Sequence, residues 1–371
     1  MKIHFDTAPM PELHWFENPL KIIKANSPSE VMFALEELQD CLDQGYWIAG
    51  VASYELSYAL ETKLTSLAQS ERSVPLIQFG VFEGPSSKRL EDSTYSISEF
   101  VSDWDEARYK DAFDKALAFI EAGDIYQVNL TFSLFADFNG DPWTFYKDLQ
   151  KKQEVKHGAF VELNDEISIL SRSPELFFKT DSERNIATRP MKGTQPRNQD
   201  PEQDKKNLKF LKNDIKNRAE NLMIVDLLRN DISKISKVGT VKVPELYRVE
   251  TYETVHQMTS LVVGEMNKKT KIAQLFKALF PCGSITGAPK IRAMEIINEL
   301  EQRPRDIYCG AIGWMAPDGS SEFNVAIRTL LLQNGKAVLN VGGGVVFDST
   351  AKSEYEEALW KSLFTQITQK N

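Results

Sequence analysis

The sequence is poor in the residues on which small secreted or metal-stapled proteins depend. Only 3 cysteines occur in 371 residues, too few for a disulfide framework and compatible with a reducing compartment. The 4 histidines, His4, His14, His157 and His256, stand at no metal-ligand spacing from one another. No apolar run is long enough to cross a bilayer, and Asp6 and Glu12 interrupt the N-terminus, which excludes a secretory signal. Positive charge is also in deficit: 44 Lys and Arg against 53 Asp and Glu give a net charge of −9. A field of that sign repels nucleic acid and anionic membranes and steers no acidic metabolite inward. An anionic substrate would therefore need a local cationic device, either a metal ion or a few converging Arg and Lys residues. Neither internal repeats nor low-complexity tracts are visible. These absences predict a soluble, cytoplasmic protein with no nucleic-acid or membrane partner.

What is present is ordinary for an enzyme. Hydrophobic residues make up 42% and charged residues 26%, and a chain of this length buries roughly three quarters of its unfolded surface without staples. The polar stretch from Gly84, GPSSKRLEDSTYSISEFVSDWDEA, is the only seam. It sets off an N-terminal segment, 1–104, contributing strands and a helix to the same sandwich, from a catalytic domain, 105–371. PSEVMFALEELQDCLDQG reads as a helix ending near Gly45, and YWIAGVASYEL as a strand. Tyr109, Phe113, Ala116, Leu117 and Ile120 keep helical spacing up to Gly123. QVNLTFSLFADF and the run Ile167–Phe178 read as strands, and one long helix is predicted from Glu202 to about Ile235. Strands at TVKV and TVHQMTSLVVGEM, helices at TKIAQLFKALF and after Pro289, and further strands around an Asn334-Gly335 hairpin precede a last helix. This mixed order predicts an α+β fold, a layered sandwich of largely antiparallel sheets with helices packed outside.

Three groups could carry chemistry. Lys192, in ATRPMKGTQPR, can act as a nucleophile if burial or a neighbouring cation keeps its amine neutral, and Arg189 and Arg197 flank it. On this segment alone a solvated loop lysine is the plainer reading. Among carboxylates, Glu220 lies in an apolar helical context, and Glu354 and Glu357 stand three apart on one face of the last helix. Such a set could hold magnesium, or Glu354, Glu356 and Glu357 could simply solvate a helix start, which is the better local reading. Gly342, Gly343 and Gly344 would let backbone approach an anionic ligand, or form a bulge where two sheets cross. Strand-like Val345–Phe347 after them argues against a dinucleotide fingerprint. His256 sits in an apolar strand, where a satisfied core histidine is the commoner outcome. Cys282 has no His or Asp placed by sequence to activate it. The residues alone name no substrate.

Ten ordered blocks from roughly Glu106 to the C-terminus resemble the chorismate-utilising enzymes: GDIYQVNLT, SRSPELFF, RPMKGT, RAENLMIVDLLRND, YETVHQMTS, SITGAPKIRAMEII, YCGAIGW, NVAIRTLL, VGGGVV and SEYEEALWK. Within that family, Lys192 stands where the anthranilate-forming members carry alanine. Gln127 stands where the hydrating members carry a lysine that activates water. The resemblance therefore implies the branch that aminates chorismate at C4, through a covalent adduct on Lys192, on the route to p-aminobenzoate and folate. It implies Glu175 as general acid and His256 as a residue near the departing hydroxyl. Arg328, Tyr308 and the Gly342–Gly344 backbone would clamp the enolpyruvyl carboxylate, with Gly193, Thr194, Gln127 and Ser284 also at the substrate and Thr286 a weaker candidate. Glu220, Glu357 and Glu354 would bind Mg2+ against the ring carboxylate. Implied partners are chorismate, ammonia, a glutamine amidotransferase subunit that supplies the ammonia, and a separate downstream lyase. The cysteines offer no Gly-x-Cys-x-Gly turn for a built-in glutaminase. Three departures stand out: Met191 for the usual isoleucine, no clear LLES-like segment near the N-terminus, and Asn217 where some relatives have an acid. The alternatives carried forward are an anthranilate-forming enzyme and a non-catalytic chorismate-binding regulatory subunit.

Overall fold

The computed structural model describes residues 1–69, 71–87, 90–252 and 255–366. Lys88 and Arg89 of the expected seam, Thr254 at the start of an expected strand and Ile367 at the end of the last helical run lie outside those residues. Among the described residues the strands form two ten-stranded sheets, with every pairing antiparallel. The N-terminal segment enters both. Lys2–Phe5 pairs with Ala159–Glu162 in the first sheet, and Trp47–Ala52 pairs with Ala311–Met315 in the second.

Strand alternation explains how the sheets stack. Ile3, Phe5, Val161, Ile169 and Leu331 of the first sheet meet Ala49, Val51, Phe82 and Ile312 of the second in one buried cluster. Every second residue of a strand points the same way, so the intervening positions, such as Phe160 and Leu170, join the other cluster, into which the helices pack. Helix Pro28–Asp43 contributes Val31, Leu35 and Leu38 to it, and helix Glu106–Glu121 contributes Tyr109, Phe113 and Ala116. The hairpin at Asn334-Gly335 forms as expected, with φ of 52° and 74°, the doubly positive backbone of a two-residue turn. None of the described helices is long and apolar enough to cross a membrane.

Two expectations fail, and both failures place functional residues. The run Ile167–Phe178 is not one strand but two, Ile167–Ser171 in the first sheet and Leu176–Thr180 in the second. Pro174 has no N–H for a ladder, so the chain leaves one sheet there and crosses to the other. A second crossing, from Ser321–Val325 to Thr329–Gln333, runs beside it. The two are tied by Arg172 N–H donating to Arg328 O at 2.9 Å, Val325 N–H to Glu175 O at 3.1 Å and Ser173 Oγ to Val325 O at 2.6 Å. Glu175 and Arg328 thus sit on adjacent crossovers.

The single helix predicted over Glu202 to Ile235 is also wrong. Two helices, Pro201–Asn213 and Ile215–Ser233, meet at an extended Asp214. The Asp214 carboxylate accepts from the Asn217 backbone at 2.8 Å, a strong N-cap that starts a new helix in a new direction. Apolar period alone passed over this break. Ile215 and Leu222, which keep the helical period, are exposed at 85% and 42%.

The first crossover is anchored to the N-terminal segment. Arg172 is 1% exposed and bonds Asp6, the Tyr146 hydroxyl at 3.0 Å and Gln153 O at 2.6 Å. Asp6 in turn accepts from Tyr146 and Gln150, both at 2.6 Å. Removing one partner of such a pair leaves a buried charge uncompensated, at a cost of about 3–5 kcal/mol. Asp6→Ala should therefore lower the urea midpoint well below that of wild type, whereas removing an exposed pair such as Lys110–Asp114 should change it little. Equal midpoints for the two variants would mean that Asp6 is not an anchor.

Candidate active site

The crossovers, the start of helix Ile215–Ser233, the strands Met191–Pro196 and Lys336–Val345 and helix Ala351–Trp360 surround a cavity of about 520 Å³. Of the residues singled out by sequence, Glu175, Lys192, Gly193, Thr194, Glu220, Ser284, Tyr308, Arg328, Gly342, Gly343, Gly344, Glu354 and Glu357 all line it.

Lys192 enters the cavity from the strand Met191–Pro196. Desolvation holds its amine below the usual lysine range, reinforced by the Lys361 ammonium and opposed by Glu220, Glu175 and Glu357. The expected depressors, Arg189 and Arg197, do not act: Arg189 is paired with Glu245 and Glu250, and Arg197 with Asp204. Paired charges cancel at a distance, so burial does the work assigned to them. Gly344 makes room for the amine. A Cβ there would sit 3.2 Å from Lys192 Nζ and 2.7 Å from Gln127 Nε2. The ladder passes through Gly342–Gly344 without a register shift, so these glycines are not a bulge; they permit close approach.

Glu175 is 4% exposed, and burial pushes its carboxyl up to about 7. Ser284 Oγ donates to its Oε1 at 2.7 Å, and Lys192 and Arg328 lie close enough to favour its ionised form. A carboxyl held that high is partly protonated near neutral pH, which suits a general acid. Ser284, expected at the substrate, has its hydroxyl committed to Glu175. The Arg328 guanidinium has no hydrogen-bond or ion-pair partner among the described residues, and desolvation lowers its pKa. An unpaired, desolvated guanidinium facing a cavity is a receptor for a carboxylate.

Three further carboxylates, Glu220, Glu354 and Glu357, line the same cavity. Burial raises the pKa of Glu220 and of Glu354, whose Oε1 accepts from Ser349 at 2.7 Å. Burial also opposes ionisation of Glu357, but Lys361 outweighs it at 2.8 Å and holds the group low. Glu220 has no hydrogen-bond or ion-pair partner among the described residues.

Three expected residues stand apart. His256 does not line the cavity: its Nε2 pairs with Asp204 and its Nδ1 with Thr251, both at 3.0 Å. It is the satisfied core histidine that its apolar strand suggested. Successive strand residues point to opposite faces, and the cavity receives its neighbour Gln257 instead. Gln127 is fully buried beneath Gly344, with neither amide atom partnered among the described residues, and it does not line the cavity. Thr286 bonds the backbone of Cys282 and Gly283 and does not reach the cavity. The sequence reading also missed Lys216, Lys361, Asn129 and Gln257, all of which line it. Spacing could have found the lysines, since Lys216 precedes Glu220 by four residues and Lys361 follows Glu357 by four, one helical turn each.

The sequence profile described as chorismate binding enzyme matches residues 85–365. Aminodeoxychorismate synthase component 1 of Escherichia coli is 42% identical over 279 residues, 73% of this chain and 61% of that protein. Anthranilate synthase component 1 of Saccharolobus solfataricus is 40% identical over 266 residues, 70% of this chain and 63% of that one. The chain thus spans about three fifths of the length of the curated relatives it matches. The crystal structure of anthranilate synthase component I from Streptococcus pneumoniae superposes with a TM-score of 0.83 at 25% identity, covering 99% of this chain and 92% of that one.

Proposed function

The chain belongs to the chorismate binding enzymes, and on that premise we propose that it replaces the C4 hydroxyl of chorismate with an amino group, forming 4-amino-4-deoxychorismate on the route to p-aminobenzoate. The observation that carries this reading is that a desolvated Lys192 and a Glu175 whose carboxyl burial pushes up to about 7 line one cavity together with Arg328. Aminodeoxychorismate synthases among the relatives support it.

Arg328 and Tyr308 would hold the enolpyruvyl carboxylate, fixing the ring between the lysine and the acid. The neutral Lys192 amine attacks C2, the ring double bonds shift, and the C4–O bond breaks while Glu175 gives its proton to the departing hydroxyl, releasing water. Ammonia then attacks C4 and the double bonds return. The C2–N bond breaks with its electrons going back to Lys192, and the Glu175 carboxylate takes the surplus proton from the new amine. Two easier displacements replace one difficult substitution. The protein neither gains nor loses a group. Anthranilate formation would need ammonia to bond C2, the atom this reading assigns to Lys192. A non-catalytic regulator would need neither nucleophile nor acid.

We read Mg2+ as the cationic device that a net charge of −9 calls for. The donor set suits a hard cation: three carboxylates share one cavity and two of them are held high by burial. Among the described residues no preassembled group of three or more metal-ligating side chains exists, so substrate oxygens would complete the shell, as is usual for magnesium. Glu220, Glu354 and Glu357 would hold the ion, which when bound neutralises the ring carboxylate. Glu357→Gln is then expected to raise the magnesium concentration for half-maximal activity at least about tenfold, with little change in melting temperature. An unmoved half-saturation point removes Glu357 from the metal site.

The nitrogen is read as ammonia from a separate glutamine amidotransferase subunit. Cys282 and Cys309 are buried with thiols pushed up to about 12, unsuited to glutaminase chemistry. Incubation with chorismate, Mg2+ and ammonium, followed by mass and ultraviolet identification of the product, tests the reading. Anthranilate, or no turnover, would replace it with one of its alternatives.

A further inference from the structure

The Lys192 amine has no hydrogen-bond or ion-pair partner among the described residues. Nothing grips its end, so the backbone beneath it sets where it points. That backbone is irregular. The strand Met191–Pro196 pairs with Val255–Glu265 at Met191↔Thr259 and again at Thr194↔Gln257, three steps on one strand against two on the other. The extra residue is a bulge at Lys192-Gly193, the kind of break that re-aims a side chain and leaves local backbone groups without their ladder partners. Gly193 takes a φ of +85°, which favours glycine.

Gln257 supplies what the ladder loses. It is buried, and its amide spans the bulge: Nε2 donates to Gly193 O at 2.9 Å, and Oε1 accepts from Thr194 Oγ1 at 2.9 Å. The opposite side is closed by Asn217, whose Oδ1 would lie 2.6 Å from a Cβ on Gly193 and whose Nδ2 donates to Asp214 at 2.8 Å. The bulge is held between two side-chain amides, and only one of them bonds it directly.

We propose that Gln257 is a positioning residue for Lys192: its amide straps the bulge that aims the amine at the substrate, and it acts through Lys192 rather than by holding chorismate. The proposal rests on the reading of Lys192 as the nucleophile. Both amide atoms are engaged by the strand, which separates Gln257 from Arg328, whose polar atoms are free to meet a ligand. A flexible four-carbon stem on a loosened bulge samples many positions, and a displacement of about 1 Å can cost on the order of 10²-fold in rate.

The test uses the whole chain with Gln257→Met, which keeps the volume and removes both bonds. Three quantities are read: chorismate affinity, kcat, and the rate at which a chorismate adduct appears on the Lys192 peptide in rapid-quench mass spectrometry. We expect affinity to change less than about threefold while adduct formation and kcat fall together by roughly 10²-fold. Thr194→Val should lose activity severalfold alone and almost nothing further in the Gln257→Met background, because the two share one bond. If affinity falls while the adduct rate at saturation is unchanged, Gln257 is a substrate contact and the proposal is wrong. Unchanged affinity, kcat and adduct rate would make Gln257 merely structural and would overturn the proposal equally. Absence of any Lys192 adduct in the wild type overturns the nucleophile reading and the strap with it, an outcome distinct from a wild type that forms the adduct and a variant that forms it equally fast.

Discussion

Lys192→Ala is expected to abolish amination, with kcat falling on the order of 10³-fold or more, while chorismate still binds. The loss is large because the lysine would form a bond to substrate, a role that no hydrogen-bonding neighbour can take over. Lys216 and Lys361 line the same cavity, but Lys361 is held by Glu357 at 2.8 Å and by Gly342 O at 2.9 Å. Folding should survive. The side chain makes no hydrogen bond or ion pair among the described residues, and its burial already disfavours its charged form, so truncation removes a cost rather than a support. Steady-state assay alongside equilibrium binding of chorismate checks both halves. Full activity in the variant, or loss of binding in step with activity, would remove the lysine from its role.

Glu175→Gln should cost roughly 10²–10⁴-fold in kcat, the usual worth of a positioned general acid. Glutamine keeps the shape and the bond from Ser284 but has no proton to give. The pH profile carries the sharper signature. Glu175 must be protonated to act, and its carboxyl lies at about 7, so wild-type kcat should fall as pH rises through that region. Lys192 must be neutral, and its lowered pKa extends activity toward acid. The two requirements predict a bell. In Glu175→Gln the limb on the alkaline side should vanish, leaving a low rate that only rises with pH. Persistence of that limb in the variant would assign it to another group.

The residues proposed to carry the chemistry are legible in the sequence only as members of short blocks that resemble a family: Lys192 in RPMKGT, Glu175 in SPELFF, and Glu354 with Glu357 one turn apart in SEYEEALWK. What converged from distant blocks could be placed only through resemblance. Physical reading of the residues favours a loop lysine, because nothing local announces the desolvation that the folded chain imposes on its amine. The failures have definite causes. His256 and Gln257 are adjacent on a strand, and alternation sends one into the core and the other to the cavity; a one-residue choice of face cannot be made from composition. Pro174 and Asp214 were local signals, for a sheet crossing and a new helix, that a smooth apolar period outweighed. Arg189 and Arg197 looked like neighbours of Lys192 in sequence, but both turn to carboxylates brought in from elsewhere. Sequence proximity gave the charges and omitted their partners.

One measurement bears most directly on covalent capture of the substrate by Lys192. Wild-type protein mixed with chorismate and Mg2+ in the absence of ammonia is quenched in acid, weighed intact and then mapped by peptide. The predicted result is a mass increase equal to chorismate less one water, located on the peptide that contains Lys192, and its disappearance when ammonium is added before the quench. An unmodified protein under conditions that support turnover with ammonium, or the same added mass on any other peptide, would contradict it.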